Sequence, residues 1–139
     1  MKLVVSAAGT GPDAQVDPRF GRCSHFVVYD TDTGTYEAMP NAAAAAAGGS
    51  GIQAAQAVVN AGAKAVLTGN IGPNAFRVLE AAGVKCYTGA GGTVKDAVAA
   101  YQAGKLTLAG AATAMPHAGM GRGAGRGAGR GRGMGGRGW

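Results

Sequence analysis

Short apolar runs alternate with helical segments along most of this chain, and a glycine follows almost every one of them. The runs KLVVSA, AVLTG and VKCYTG have the length and β-branched content of buried strands. Strands that alternate with helices form a parallel sheet, because the helix returns the chain to the same end of the sheet. FVVY and TYEAM, joined by Asp32-Thr33-Gly34, predict an antiparallel hairpin. We therefore predict an α/β fold with a mixed sheet, and KLTLA after the last helix is a candidate for one more short extended piece.

The starts of two helices are marked by capping residues. Ser50 is predicted to be the N-cap of a helix that ends before Gly62. Thr93 is predicted to cap the last helix, with Asp96 three residues later completing a pair that resembles a capping box. The alanine run at 42–47 has high helix propensity, but it stands between Pro-Asn and a glycine cluster, so we interpret it as an irregular loop.

Several loops should meet at one edge of the sheet, where the parallel strands end. Glycine-rich helix starts offer free N–H groups and the positive end of the helix dipole, which attract anions. Asn70 and Asn74 would add amide donors, and Arg19 and Arg22 would add positive charge. We interpret this edge as a site for an anion larger than one phosphate. Ordinary turns and caps explain each motif alone better, and they remain an equal alternative for the three motifs and two arginines together. The chain has neither a P-loop nor a GxGxxG motif, so nothing specific indicates a nucleotide.

Groups suited to catalysis are few. His25 stands at a strand start and is interpreted as a surface or cap residue, and His117 lies near the C-terminus. Asp13 and Asp17 lie in the first loop and are interpreted as caps or solvated carboxylates, so no carboxylate pair indicates acid–base chemistry. The sequence therefore favours binding over catalysis, and we expect the protein not to be an enzyme.

The two cysteines form no metal-ligand pattern such as CxxC. Cys23 lies near Arg19 and Arg22, whose charges are predicted to lower its pKa and favour the thiolate, so it is a candidate metal ligand. A packed, unreactive thiol is an equal alternative. Cys86 lies within a predicted strand and is expected in the core. The start of the chain indicates a first strand rather than a signal peptide, so we expect reduced thiols and a cytoplasmic protein with no membrane partner.

The last 29 residues are rich in glycine and arginine and contain no acidic residue. Of the net charge of +6, this segment contributes +5, from Arg122, Arg126, Arg130, Arg132 and Arg137. It has too few apolar side chains to fold, so we predict a disordered tail at 111–139 after a folded domain at 1–110. Guanidinium groups suit multivalent anions, and binding of metal sulfide, binding of RNA and a merely solubilising role all remain open.

Four motifs resemble the nitrogenase iron-molybdenum cofactor biosynthesis family, which includes NifX and the C-terminal domain of NifB. They are VDPRFGR (16–22), GGSGIQAAQ (48–56), LTGNIGPNAF (67–76) and YTGAGGTVKDAVAAY (87–101). The resemblance implies a ribonuclease-H-like fold, with a five-strand mixed sheet and helices on both faces. The tail is similar to that of an archaeal iron-sulfur storage protein, whose basic tail is associated with an anionic iron sulfide.

The same resemblance implies non-covalent binding of an anionic metal-sulfur cluster, of the iron-sulfur, iron-molybdenum or molybdenum-copper sulfide type, with cluster donor or acceptor proteins as partners. The residues that match the family motifs are the candidate site: Arg19, Phe20, Arg22, Gly48, Gly49, Ser50, Gly51, Gln53, Asn70, Gly72, Asn74, Gly91, Gly92 and Thr93. We expect carriage or storage of such a cluster. The alternatives are an RNA-associated protein that uses the tail and a redox or assembly adaptor that uses Cys23.

Overall fold

A computed structural model describes residues 1–45 and 50–110. The predictions that concern Gly48, Gly49 and the arginine-rich tail lie outside these residues. Among the described residues, no helix combines the length and the apolar character that crossing a bilayer requires.

A mixed sheet forms the centre of the described structure. Its strands are β1 (Lys2–Ala7), β2 (His25–Asp30), β3 (Thr35–Pro40), β4 (Ala63–Leu67), β5 (Lys85–Thr88) and β6 (Thr107–Leu108), in the order β3-β2-β1-β4-β5-β6. β1, β4 and β5 run parallel, and the other three strands run antiparallel to their neighbours. The described sheet has six strands, so the predicted count of five is wrong, because part of the KLTLA stretch pairs with β5. The ribonuclease-H-like assignment stays a prediction.

The predicted hairpin is confirmed. β2 and β3 pair from His25 opposite Pro40 to Asp30 opposite Thr35. The turn between them needs a left-handed residue, and Gly34 supplies it with a φ of +73°. Its amide donates to the Asp30 carbonyl over 2.7 Å, which closes the turn.

Three α-helices follow the pattern of the sequence: α1 (Ser50–Asn60), α2 (Pro73–Ala81) and α3 (Val94–Gln102). Ser50 is the first residue of α1 and not the residue that precedes it. The capping box of α3 is confirmed: the Asp96 amide donates to Thr93 Oγ1, and the Thr93 amide donates to the Asp96 carboxylate. The described part of the alanine run forms a short 3-10 turn at Ala42–Ala45.

The helices cover both faces of the sheet, because alternate residues of each strand point to opposite sides. Val4 of β1 packs in one apolar layer with Val58 of α1 and Leu79 of α2. Its neighbour Val5 packs in the other layer with Val98 of α3. The central strands β1 and β4 are thus buried between two helical layers, and the loops after β1, β4 and β5 emerge together at one edge.

Candidate functional site

The first loop is fastened to the end of β4 by close backbone packing. A Cβ atom on Gly69 would lie 2.5 Å from Pro18 Cβ and 2.7 Å from Pro18 Cα, so only glycine fits. The Asn70 amide donates to the Pro18 carbonyl over 2.8 Å, and Arg19 and Asn70 pair as a short parallel bridge. Two predicted site residues from distant parts of the chain therefore become neighbours, and both side chains are exposed.

Asp17 holds the guanidinium group of Arg19. Arg19 Nε donates to Asp17 Oδ1 over 3.1 Å, Nη2 donates to Oδ2 over 3.0 Å, and the Arg19 amide donates to Oδ1 over 2.9 Å. The Asp17 side chain is only 9 % exposed, so its interpretation as a solvated carboxylate is wrong. The hydrogen bonds from Arg19 lower the pKa of Asp17 below its ordinary value of 3.8, against the opposing effect of burial.

The backbone of Asp17 is also held by a buried side chain at the end of β1. Its carbonyl accepts a hydrogen bond of 2.6 Å from the Ser6 hydroxyl, which in turn lies 2.7 Å from the Thr68 hydroxyl. Ser6 and Thr68 are fully buried at the ends of β1 and β4. Buried polar groups that satisfy one another define one geometry, so the sheet itself sets the position of Asp17 and, through it, of Arg19.

We expect Asp17→Asn to lower the free energy of unfolding by about 1 kcal/mol at neutral pH. The reason is the loss of the charge-assisted hydrogen bonds between the Asp17 carboxylate and the largely exposed guanidinium group of Arg19. The folded-state pKa of Asp17 is lowered, so its contribution is complete above the ordinary value of 3.8 and disappears as the pH falls through the folded-state value. Urea unfolding of both proteins at neutral pH and well below pH 3.8 tests this. Asp13→Asn is the control: the Asp13 side chain is 82 % exposed, and its ion pair with Lys95 over 3.0 Å lies at the surface, where such pairs contribute little. If the unfolding free energies of the unmodified protein and Asp17→Asn differ by the same amount at both pH values, the ionised Asp17 carboxylate does not provide this stability.

The 3-10 turn Phe20–Arg22, at the end of the first loop, packs against the start of α1. A Cβ atom on Gly21 would lie 3.1 Å from both the amide nitrogen and Cα of Gly51, so the two backbones are in contact. Arg22 Nη1 donates to the Ala44 carbonyl over 3.1 Å. Phe20 is 3 % exposed and its ring packs on Phe26 with 5.2 Å between centroids, so it contributes to the core.

Cys23 is buried, and the predicted low pKa is wrong. Its thiol is fully buried and lies 3.3 Å from the Phe20 carbonyl oxygen. Desolvation raises the pKa of Cys23 to about 11, which favours the neutral thiol. Among the described residues, no group of three His, Cys, Asp or Glu side chains could hold a metal ion. Cys86 is 2 % exposed in β5, as predicted for a core residue.

The N-terminus of α2 has no side-chain cap. Gly72 occupies the cap position, and Pro73 follows as the first helical residue. Within the described residues, the amides of Asn74 and Ala75 have no recorded acceptor, while Asn74 Oδ1 accepts a long hydrogen bond of 3.4 Å from Arg77. A Cβ atom on Gly51 would lie 3.4 Å from Ala75 Cβ, so α1 and α2 begin side by side. Two helix N-termini thus point to the same part of the edge.

The N-terminus of α3 is engaged by the first loop. The Val94 amide donates to the Ala14 carbonyl, and the Lys95 amide donates to the Pro12 carbonyl, both over 2.9 Å. The Asp96 amide is used by the capping box. Each of these donors has a partner within the protein, and the Asp96 carboxylate adds negative charge there. Two of the residues predicted to bind an anion contact the first loop: the Val16 amide donates to the Gly92 carbonyl over 2.9 Å, and Gln15 and Thr93 pair as a short antiparallel bridge. Gly91, predicted with them, lies exposed beside them.

The structure brings most of the described candidates into one region. Arg19 meets Asn70, the turn that carries Arg22 meets Gly51, and α1 and α2 start next to each other. The region comprises Arg19, Arg22, Ser50, Gly51, Asn70, Gly72 and Asn74, and we call it the edge site. Gln53 is exposed in the first turns of α1, and His25, at the start of β2, is half-buried beside Ser24.

Sequence reasoning missed two residues that position the edge site, Asp17 and Asn41. Asn41 is 8 % exposed, and its side-chain amide donates to the carbonyls of Cys23 and Gly21 while its oxygen accepts from the Ala43 amide. A signal for Asp17 existed, since residues two apart in an extended segment lie on the same side and Arg19 has the opposite charge. No comparable signal marks the contacts of the Asn41 side-chain amide, because the carbonyls of Gly21 and Cys23 that accept from it are distant in sequence.

Residues 1–104 match the dinitrogenase iron-molybdenum cofactor family, and the chain belongs to this family. Two solved structures are similar to it. The apo form of the orange protein from Desulfovibrio gigas shares 40 % identity, with 81 % of this chain and 96 % of that one covered and a TM-score of 0.79. A NifB-like protein from Thermotoga shares 36 % identity, with 77 % and 91 % covered and a TM-score of 0.69.

An uncharacterised protein from Methanocaldococcus jannaschii is also similar, with 28 % identity over 95 residues that make up 66 % of this chain and 80 % of that one. The family match ends at residue 104 and does not include the arginine-rich segment. The comparisons give no support to the nucleic-acid alternative that the composition of that segment left open.

Proposed function

We propose that this protein binds an anionic metal-sulfur cluster without catalysing a reaction and that the edge site holds it. The observation that carries the proposal is the meeting of the uncapped α2 N-terminus with the loop that bears Arg19 and Arg22. Membership of the dinitrogenase iron-molybdenum cofactor family supports a cluster as the cargo. Cluster donor or acceptor proteins of cofactor assembly are the corresponding partners.

The groups of the edge site suit a cargo that is held by charge and hydrogen bonds. Guanidinium groups, backbone amides and the amide of Asn70 are all donors, which can contact the sulfur atoms of a preformed cluster. Thiolate ligation is a poor fit, because burial raises the pKa values of Cys23 and Cys86 to about 11. The cluster would therefore enter and leave without making or breaking a bond between metal and protein.

Each part of the edge site has a distinct role in this proposal. Arg19 is held by Asp17, which orients the guanidinium group but also offsets part of its charge. Arg22 provides charge from the next turn of the loop. The amides of Asn74 and Ala75 provide directed donors at the positive end of the α2 dipole. Gly72 occupies the cap position and contributes no side chain at this N-terminus.

The tail is proposed to add unspecific positive charge. Its five arginines give it +5, whereas the domain at 1–110 has a charge of about +1. A charged segment raises the local concentration of an anionic cluster and speeds its capture, an effect that salt weakens. In this proposal the domain positions the donors that hold the cluster, and the tail attracts the cluster by its charge.

We expect the protein to take up a coloured cluster when it is incubated without oxygen with iron and sulfide or with tetrathiomolybdate. Arg22→Gln should weaken retention about tenfold, since one charge-assisted contact is lost. Lys64→Gln is the matched control, because Lys64 is an exposed cation near the opposite end of β4. A chain that ends at Gly119 lacks all five tail arginines and should take up the cluster more slowly. Metal content, acid-labile sulfide and the visible spectrum are the measurements.

Two outcomes would contradict the proposal. A protein that stays colourless and empty with every metal source would exclude cluster binding. Equal loss of retention with Arg22→Gln and Lys64→Gln would show attraction by net charge alone and would remove the edge site from the proposal.

A further inference from the structure

The two outer strands of the described sheet, β3 and β6, differ in how they are protected from pairing with another chain. An outer strand leaves one row of backbone donors and acceptors unpaired, and charged residues or prolines commonly block such an edge. β3 contains both, as Glu37 and Pro40. The segment LTLAG at 106–110, which includes β6, contains neither. The only protection of this kind at β6 is its length of two residues.

The hydrogen bonds between β5 and β6 show which backbone groups of β6 face outward. The Ala109 amide donates to the Cys86 carbonyl over 2.8 Å, and Leu108 lies opposite Tyr87. Hydrogen-bonded and non-hydrogen-bonded pairs alternate along an antiparallel ladder. Because Ala109 and Cys86 form a hydrogen-bonded pair, the amide and the carbonyl of Leu108 point away from β5.

The side chain of Leu108 is exposed at the same place. Its exposed fraction is 51 %, the largest among the large apolar residues of the described structure. Leu108 also borders a mostly apolar cleft of about 210 Å³ between α2 and the β5–β6 edge, which Phe76 and Val84 line as well. An exposed apolar side chain beside a cleft and an unpaired strand edge indicates an interaction surface.

We propose that the β6 edge joins two copies of this chain, with their β6 strands antiparallel and Leu108 at the two-fold axis. In a pair centred on Leu108, the amide of each Leu108 donates to the carbonyl of the other, so both outward groups find a partner. The two side chains lie next to each other on one face of the joined sheet, where apolar cross-strand pairs are stabilising. The same surface serves both copies, as a two-fold interface requires.

The charges around the cleft favour a second copy as the occupant of this edge. Glu80 and Lys85 line the same cleft, and both are exposed. Because residue 108 pairs with itself, the axis is perpendicular to the sheet and keeps the α2 helices of both copies on one side. The two clefts then face each other across the axis. Glu80 of one copy can approach Lys85 of the other, so the contact brings together complementary charges and no net charge.

This dimer leaves the edge site of each copy open. The edge site lies at the carboxyl ends of β1, β4 and β5, and the two-fold axis reverses these strands in the second copy. The two edge sites therefore point in opposite directions, and neither is covered by the other copy. The dimer does not depend on the cargo proposed for the edge site.

Sedimentation of the full chain over a range of concentrations tests the dimer, at an ionic strength that screens the charge of the tail. We expect a monomer–dimer equilibrium. Leu108→Lys should raise its dissociation constant about a hundredfold, because both copies lose an apolar contact and two like charges meet at the axis. Ile52→Lys is the matched control: Ile52 is 37 % exposed on α1, and the same substitution there should leave the equilibrium unchanged.

A cysteine variant locates the contact. The Cα atoms of a hydrogen-bonded antiparallel pair lie about 5.5 Å apart, within the range that a disulfide spans. Leu108→Cys should therefore link two copies under mild oxidation with oxidised glutathione. Lys105→Cys, at an exposed position before β6, should link far more slowly. Cys23 and Cys86 are buried and should not react in either variant.

Three results would overturn the proposal. A full chain that stays monomeric up to about millimolar concentration would assign the β6 edge to another partner or to none. Equal dissociation constants for Leu108→Lys and Ile52→Lys would remove Leu108 from the contact. A dimer that survives Leu108→Lys and is not linked by Leu108→Cys forms through another surface.

Discussion

Gly69→Ala is expected to lower the free energy of unfolding by about 3 kcal/mol, near the upper end of the usual cost of overpacking. The added Cβ would lie 2.5 Å from Pro18 Cβ and 2.7 Å from Pro18 Cα. These atoms belong to a proline and its backbone, which have little freedom to rotate away. The first loop would have to separate from the end of β4, and the hydrogen bond from the Asn70 amide to the Pro18 carbonyl would be lost with it.

The same substitution should also impair the edge site, because the pairing of Arg19 with Asn70 depends on this contact. Urea denaturation gives the change in stability, and cluster retention after refolding gives the functional effect. Gly91→Ala is the matched control: no atom lies within 4 Å of its added Cβ, and its backbone is not left-handed. A Gly69→Ala protein as stable as Gly91→Ala would show that the packing of the loop on β4 is not tight.

Asn41→Ala is expected to lower the free energy of unfolding by about 3 kcal/mol, since two carbonyl groups, one buried and one partly buried, would lose their donor. Asn41 Nδ2 donates to the Cys23 carbonyl over 2.8 Å and to the Gly21 carbonyl over 3.2 Å. Its Oδ1 accepts from the Ala43 amide, which ties the start of the alanine run to the turn that carries Arg22. The loss should therefore loosen the turn as well as lower the overall stability.

Urea denaturation measures the global effect, and the alkylation rate of Cys23 reports the local one. Asn60→Ala at the exposed end of α1 is the control, and we expect a change within about 0.5 kcal/mol, as for most surface substitutions. Equal stabilities of the two variants would contradict the role assigned to Asn41. A large loss of stability with an unchanged alkylation rate of Cys23 would show that the Asn41 side chain stabilises the fold without holding the turn that carries Arg22.

Features that depend on neighbours in sequence could be predicted. The Thr93–Asp96 capping box and the hairpin at Gly34 follow from a few adjacent residues, because their hydrogen bonds are local. The alternation of apolar runs and helical segments likewise determined that the chain forms a mixed sheet with crossover helices. The convergence of strand ends at one edge follows from that pattern alone.

Features that depend on distant contacts could not be predicted. Cys23 has two arginines nearby in sequence, yet burial is the largest influence on its thiol and raises its pKa. Glycines and a threonine mark the start of α3 as an anion site, yet the first loop folds over it and uses its donors. In both cases the sequence supplied the groups and determined the local turns. Only the tertiary structure decided which groups lost water and which found partners, because burial and pairing are set by segments far apart in the chain.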